Sequence, residues 1–405
     1  MGWLEWLALP PLLFWGALLF RPSRRWPRTS RLSRPLPAPA VAGVVAVVPA
    51  RNEADLLPRT LPSLLQQEGL RVVLVDDEST DGTAEAAARA AAAVGAADRL
   101  RVVAAGRRTP GWTGKLWALE RGLAAARESA GPAEGPEWLL LTDADVLHRP
   151  GSAASLLARA TDPHDPRDLV SVMARLTTET FWEKLLIPAF LFFFHLLYPF
   201  GRVADPRAPT AAAAGGCILV RTATLVAAGG FASVHDAVID DVALARRLAG
   251  AGGRLWLGLD PGIRSVRPYR DLAGIWRVVE RTAFVQLRHR LSWTVLAIGA
   301  LLAVAVAPPF LVAAGAVAHL GPLGAAPLSP ARAVIWAFLA WALQAAALAP
   351  WVRHQRLAAS YSWALPFASL LYAGMTATSA WRGLTGRGAG WKGRLYRSAG
   401  RSKSR

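Results

Sequence analysis

Asp143 and Asp145 stand one residue apart after an apolar run, Trp138–Thr142, in WLLLTDADV. Two carboxylates at the end of a core strand lose water and repel each other unless a cation lies between them. Hard divalent ions, Mg²⁺ or Mn²⁺, take oxygen ligands and bridge carboxylates to phosphate oxygens. The pair therefore points to an enzyme that handles a phosphorylated donor. The plainer alternative is a turn or cap ahead of a helix near Ser152.

Three further segments hold residues of chemical interest. Asp76 and Asp77 open DDESTDGT directly after VVLV, where an ionised carboxylate can accept from a base N–H or from ribose hydroxyls. Ser79–Gly82 reads as a turn that caps the next helix, which leaves Asp76 and Asp77 unexplained. Asp240 and Asp241 begin a helical stretch in IDDVALARRL, and first-turn helix acids are the plain reading there. Gly111–Lys115, GWTGK, precedes a helix; its glycines let backbone approach a ligand, and Lys115 offers a point charge for a phosphate or is simply solvated. Its glycine spacing is not that of a Walker loop. Cys217, the sole cysteine, excludes an internal disulfide and a thiolate zinc cluster, and AAAAGGCILV reads as a small buried thiol.

Strands alternating with Ala-rich helices must position these groups. Val44–Val48, Arg71–Val75, Leu100–Ala104 and Trp138–Leu141 read as strands. PARNEADLLPRTLPSLLQQ, Ala84–Val94 and Lys115–Arg127 read as helical. Apolar strands alternating with helices predict an α/β fold with a mostly parallel, Rossmann-like sheet. Ligands bind such sheets beyond the carboxyl ends of the strands, where Pro49–Glu53, Asp76–Thr83 and Asp143–Asp145 all fall.

VVPARNE, VDDESTDGT and TDAD, in that order and spacing, resemble family 2 glycosyltransferases of GT-A fold. The resemblance covers roughly residues 41–290. It implies that Pro49, Ala50, Arg51 and Glu53 line the nucleotide of a nucleotide diphosphate sugar, and that Asp76, with Asp77 beside it, holds the base. It implies that Asp143 and Asp145 hold the metal, Asp143 also meeting the donor. In that family an acidic pair usually reads Glu-Asp, the Asp being the general base; this chain has Asp-Asp, so its first position departs from the pattern. The base role falls to Asp241 and a supporting one to Asp240. A helix N-terminus predicts that Asp241 is ionised at neutral pH, as a base must be. AAGGCILVRTATLVAAGGF resembles the acceptor-side segment, its glycines letting a helix approach. QLRHRLSW resembles the Gln–Arg–Trp element of processive relatives, but the spacing does not match; a basic interfacial helix is the plainer reading. The whole arrangement looks most like the hopene-associated glycosyltransferases of bacterial hopanoid gene clusters, which implies a polycyclic isoprenoid or related lipid acceptor and an inverting, metal-dependent transfer.

Charge placement indicates a membrane rather than nucleic acid. The net charge is +18, yet residues 41–280 hold 26 Lys+Arg against 27 Asp+Glu, and no carboxylate side chain follows Glu280. The excess flanks apolar runs, as cytoplasmic membrane flanks do. Trp3–Phe20 reads as an anchor (residues 1–20) with its N-terminus outside, because positive charge follows it. Residues 21–40, with Trp26 at the interface, form a basic cytoplasmic linker to a domain over 41–290. Within that domain Leu185–Phe200 lies in the interface or packs on it. Membrane segments fill 293–381: Trp293–Leu320 and Ala333–Val352 are long enough to span, free of charge, and Trp363–Trp381 lies in the interface. That leaves the basic tail 382–405 inside. The expected location is the bacterial cytoplasmic membrane, multi-pass, with the catalytic domain in the cytoplasm. Two rivals stay open: a nucleotidyltransferase acting on sugar phosphates, opposed by the single arginine of PARNE, and an inactive transferase-like membrane scaffold.

Overall fold

The structure, a computed structural model, describes residues 3–21, 32, 41, 43–129, 135–320, 329–385, 389–391 and 394–396. Trp26 and most of the basic linker and basic tail lie outside the described residues. The chain divides into two compact units: residues 27–177 with 198–267, and residues 1–26 with 178–197 and 268–405. The second begins with helix Trp3–Phe20 (α1).

The first unit is built on a mixed eight-stranded sheet. The β-branched run Val44–Ala50 (β1) is almost wholly buried, as an apolar strand covered on both faces must be. Leu57–Leu65 (α2) leads to Arg71–Asp76 (β2), then Thr83–Ala93 (α3) to Leu100–Ala104 (β3), then Gly114–Ser129 (α4) to Trp138–Thr142 (β4). Each strand of this series lies parallel to its neighbour, in spatial order β3-β2-β1-β4. Gly122 lets α4 lie close on this sheet: a Cβ there would fall 2.3 Å from Val47 Cγ1 and 3.1 Å from Val75 Cγ2.

The other half departs from the expected parallel order. After Val146–Leu147 (β5), Ser152–Ala160 (α5), Leu169–Arg175 (β6), Phe181–Leu197 (α6, of the other unit) and Phe200–Ala204 (α7) comes Cys217–Arg221 (β7). Strand β7 pairs antiparallel with both β4 and β6. Thr222–Ala227 (α8) and Asp240–Gly250 (α9) lead to Leu255–Ser265 (β8), which runs parallel to β6 and antiparallel to β5. The reversal brings Gly215 and Gly216, just before β7, back to the carboxyl end of β4, where Thr142 faces Cys217.

The second unit is helical. It adds Leu272–Gln286 (α10), Leu291–Ala300 (α11), a wide π turn over Leu301–Val306, Ala307–Leu320 (α12), Ser329–His354 (α13), Leu365–Leu384 (α14), and short antiparallel strands Ala389–Trp391 (β9) and Arg394–Tyr396 (β10). Among the described residues two helical stretches are long and apolar enough to cross a bilayer, Leu291–Val317 and Ala331–His354; the apolar stretch Leu4–Phe20 is shorter. The second stretch starts earlier than expected and is not free of charge. Its Arg332 pairs at 3.1 Å with Glu5, which is wholly buried on α1. Helix α14, over the segment expected in the interface, is packed: Tyr372 Oη donates to the Leu186 carbonyl at 3.1 Å, and Trp276 Nε1 of α10 donates to Thr378 Oγ1 at 2.9 Å.

The π turn has a local cause. Pro308 and Pro309 have no N–H, so in an α-helical pattern the carbonyls of Val304 and Ala305 lose their partners. Both are supplied from other helices. Trp15 Nε1 donates to Val304 at 2.7 Å, and Gln344 Nε2 to Ala305 at 3.2 Å. An unmet carbonyl costs about 1–3 kcal/mol in a protein interior and more in lipid.

Candidate active site

Asp143 and Asp145 flank a turn gripped from two elements. Thr60 Oγ1 of α2 donates to the Ala144 carbonyl at 2.7 Å, and the Val266 N–H after β8 donates to the Asp145 carbonyl at 2.8 Å. Below it the buried Thr142 hydroxyl donates to the Gly216 carbonyl at 2.9 Å and lies 2.9 Å from His148 Nε2. Burial pulls the His148 imidazole down to about 4, so it stays neutral there.

Each carboxylate of the pair meets a cation of the protein. Lys115 Nζ, at the start of α4, lies 2.9 Å from Asp143 Oδ1 and 3.2 Å from Asp240 Oδ2. Burial acts to lower the Lys115 pKa, but the charges of Asp143 and then Asp240 outweigh it and raise it, so the ammonium is firmly protonated. Asp145 accepts from Ser265 Oγ at 2.8 Å and lies 3.3 Å from Arg267 Nε. Arg267 Nη2 reaches both oxygens of the buried Glu53 at 2.6 Å.

Asp241 contradicts the expectation of an ordinary ionised carboxylate. Its Oδ2 accepts from the Gly215 N–H at 2.7 Å and its Oδ1 from the Val242 N–H at 2.8 Å. Burial, then the charge of Asp240, nevertheless pushes it up to about 7. The helix N-terminus and those two donors are outweighed, because desolvation acts on the whole charge while a helix end supplies only a partial one.

The loops after β1 and β2 are laced together. The Asn52 N–H donates to Ser79 Oγ, the Thr80 N–H to Asn52 Oδ1, both at 2.9 Å, and the Ala54 N–H to Asp81 Oδ2 at 3.0 Å. Arg51 Nη1 bonds the Asp77 carbonyl at 2.6 Å and lies 3.8 Å from its carboxylate. Asp77 is only 2 % exposed, so its charge serves the Arg51 contact rather than an open surface. Asp76, half-buried, accepts from the Ser79 N–H at 3.1 Å.

Pro49, Lys115, Asp143, Asp240 and Asp241 line one pocket with Thr142, Gly215 and the apolar Leu119, Ile218 and Phe231. Ala50, Arg51, Glu53, Asp76, Asp77 and Asp145 are not in its lining. Sequence reasoning missed Arg267 and His235. The His235 carbonyl accepts from the Thr113 N–H at 2.8 Å, and its ring packs with Trp112, tying the GWTGK loop to the segment before Asp240. A lone arginine and a lone histidine in loops carry no pattern that would single them out.

Among the described residues no group of three or more His, Cys, Asp or Glu side chains forms a cage for a metal ion. The donors present are carboxylate oxygens, and Asp143 is 36 % exposed. That set fits Mg²⁺ or Mn²⁺ completed by substrate phosphates and water, since these ions use one or two carboxylates rather than an all-protein cage.

Residues 45–225 match the model of glycosyl transferase family 2. No curated protein matches the chain. Among solved structures the chain is similar to the mannosyltransferase PcManGT from Pyrobaculum calidifontis in complex with GDP-Man and Mn²⁺. The identity is 23 % over 91 % of this chain and 98 % of that one, with a TM-score of 0.48. It is also similar to residues 1–349 of S. aureus TarS in complex with UDP-GlcNAc, at 15 % identity over 88 % of this chain and 97 % of that one, TM-score 0.35.

Proposed function

We propose that the chain is a membrane-bound family 2 glycosyltransferase that moves a sugar, with inversion, from a nucleotide diphosphate sugar to the hydroxyl of a lipid acceptor. The observation that carries the reading is the convergence of Asp143, Lys115, Asp240 and Asp241 on one pocket at the carboxyl end of β4. The family match over residues 45–225 supplies the reaction class.

Asp143 and Asp145 would hold Mg²⁺ or Mn²⁺, which when bound neutralises charge developing on the leaving diphosphate. Pro49–Glu53 and Asp76 would receive the nucleotide. Asp241, oriented by the Gly215 and Val242 N–H groups, takes the proton of the acceptor hydroxyl. The oxygen attacks the anomeric carbon as the bond to the diphosphate breaks, inverting that centre. A pKa near 7 suits this work, because a base tuned close to the operating pH accepts a proton more strongly than an ordinary carboxylate.

The two apolar helical stretches support a membrane setting. The Glu5–Arg332 pair puts the starts of α1 and α13 together, so the ends of both helices, with Arg21 after the first and Arg353 and Arg356 at the second, fall on one side. That agrees with a catalytic unit facing the cytoplasm of a bacterial cell. The closer likeness to hopene-associated enzymes makes a polycyclic isoprenoid the acceptor to try first.

The test is Asp241→Asn in purified full-length protein, assayed with a panel of nucleotide sugars and lipid extract. Donor binding persists and transfer falls by about 10²–10⁴-fold. Near-normal turnover removes Asp241 from the base role.

A further inference from the structure

We infer that Lys115 is a resident cation of the carboxylate cluster, holding Asp143 and Asp240 until a donor's diphosphate draws its ammonium away and opens Asp143 to a divalent ion. The inference rests on the metal site proposed above. Lys115 Nζ sits between two carboxylates from different elements, 2.9 Å from Asp143 at the end of β4 and 3.2 Å from Asp240 at the start of α9. The seat is built for it. A Cβ on Gly215 would stand 3.2 Å from both Lys115 Nζ and Asp241 Oδ2, so a larger residue there would crowd both groups. The lysine side chain is 22 % exposed, whereas Asp143 is open enough to be reached from outside.

An ammonium 2.9 Å from Asp143 Oδ1 repels any ion that binds the same oxygen. The two compete, and the ammonium leads while it also holds Asp240. Its flexible four-carbon stem allows it to swing while α4 stays in place. Arg267 differs: its Nη2 is fixed on Glu53, so Asp145 keeps a rigid partner. A diphosphate offers the ammonium a replacement anion as it brings oxygen ligands for the metal. Metal and donor therefore bind together, and metal alone binds poorly.

The experiment is Mn²⁺ titration of the full-length protein in detergent, followed by the electron paramagnetic resonance of free Mn²⁺, without nucleotide. Lys115→Met and Lys115→Gln, the latter keeping a hydrogen-bond donor, bind Mn²⁺ at least about tenfold more tightly than wild type. Adding Asp143→Asn to either variant abolishes the gain. Thermal melts identify folded variants. Unchanged or weaker Mn²⁺ affinity in a folded Lys115 variant overturns the inference. If wild-type affinity then still rises with GDP or UDP and that rise is lost in Asp143→Asn, the metal site stands and only the role of Lys115 falls. A gain that survives Asp143→Asn puts the ion elsewhere and overturns both.

Discussion

In its proposed role as base, Asp241 would couple activity to stability through one side chain. Its pKa is about 7 in the folded protein against 3.8 ordinarily, with burial the first cause and Asp240 the second. Between those values the folded state holds a proton that the unfolded state has released. The favourable contribution is thus complete below about 4 and is lost as pH rises through about 7. Transfer by a base follows the opposite course, rising with pH through the same window. In melts from pH 5 to 8, Asp241→Asn should gain on wild type as pH rises, by roughly 2–3 kcal/mol at pH 8; a constant difference would contradict the raised pKa. The sequence displayed TDAD and IDD because carboxylates after apolar runs stand out. It hid the charge state of Asp241, since a helix start is visible in sequence and desolvation is not. It also hid the seat of Lys115 and the bridge of Arg267 to Glu53, whose partners lie far away along the chain.

Among elements, α4 matters most because it delivers Lys115. Its seat on the sheet depends on Gly122 facing Val47 and Val75. Gly122→Ala should destabilise by about 1–3 kcal/mol through overpacking, measured by urea unfolding of the detergent-solubilised protein. Combining it with Val47→Ala should cost less than the sum of the two changes, because the offending methyl is gone. Strict additivity would show that the contact is relieved elsewhere. Strands β1 to β4 were legible because their apolar runs alternate with helical stretches. The antiparallel half was not: β6 reads LVSVMAR, with a polar residue mid-run. Its Ser171 hydroxyl accepts from the Ala214 N–H at 2.8 Å, a tertiary contact that no local pattern announces.

At the scale of the whole molecule, the basic flanks and the lengths of the apolar runs set the expected arrangement in the bilayer. On the proposed topology, in which α1, the stretch Leu291–Val317 and Ala331–His354 cross in turn, a reporter fused after Arg405 should read cytoplasmic. An external reading would require α14 to cross as well. The division into two units was hidden in the sequence, because residues 178–197 leave the sheet-bearing unit for the helical one partway along the chain. The two prolines of α12 carry a consequence for biogenesis. As the ribosome releases the chain, Trp15 is already available when the Val304 carbonyl emerges, but Gln344 is still unsynthesised. On the proposed membrane reading, the growing chain carries the Ala305 carbonyl unanswered until α13 is made, so water or the insertion machinery has to shelter that oxygen in the meantime.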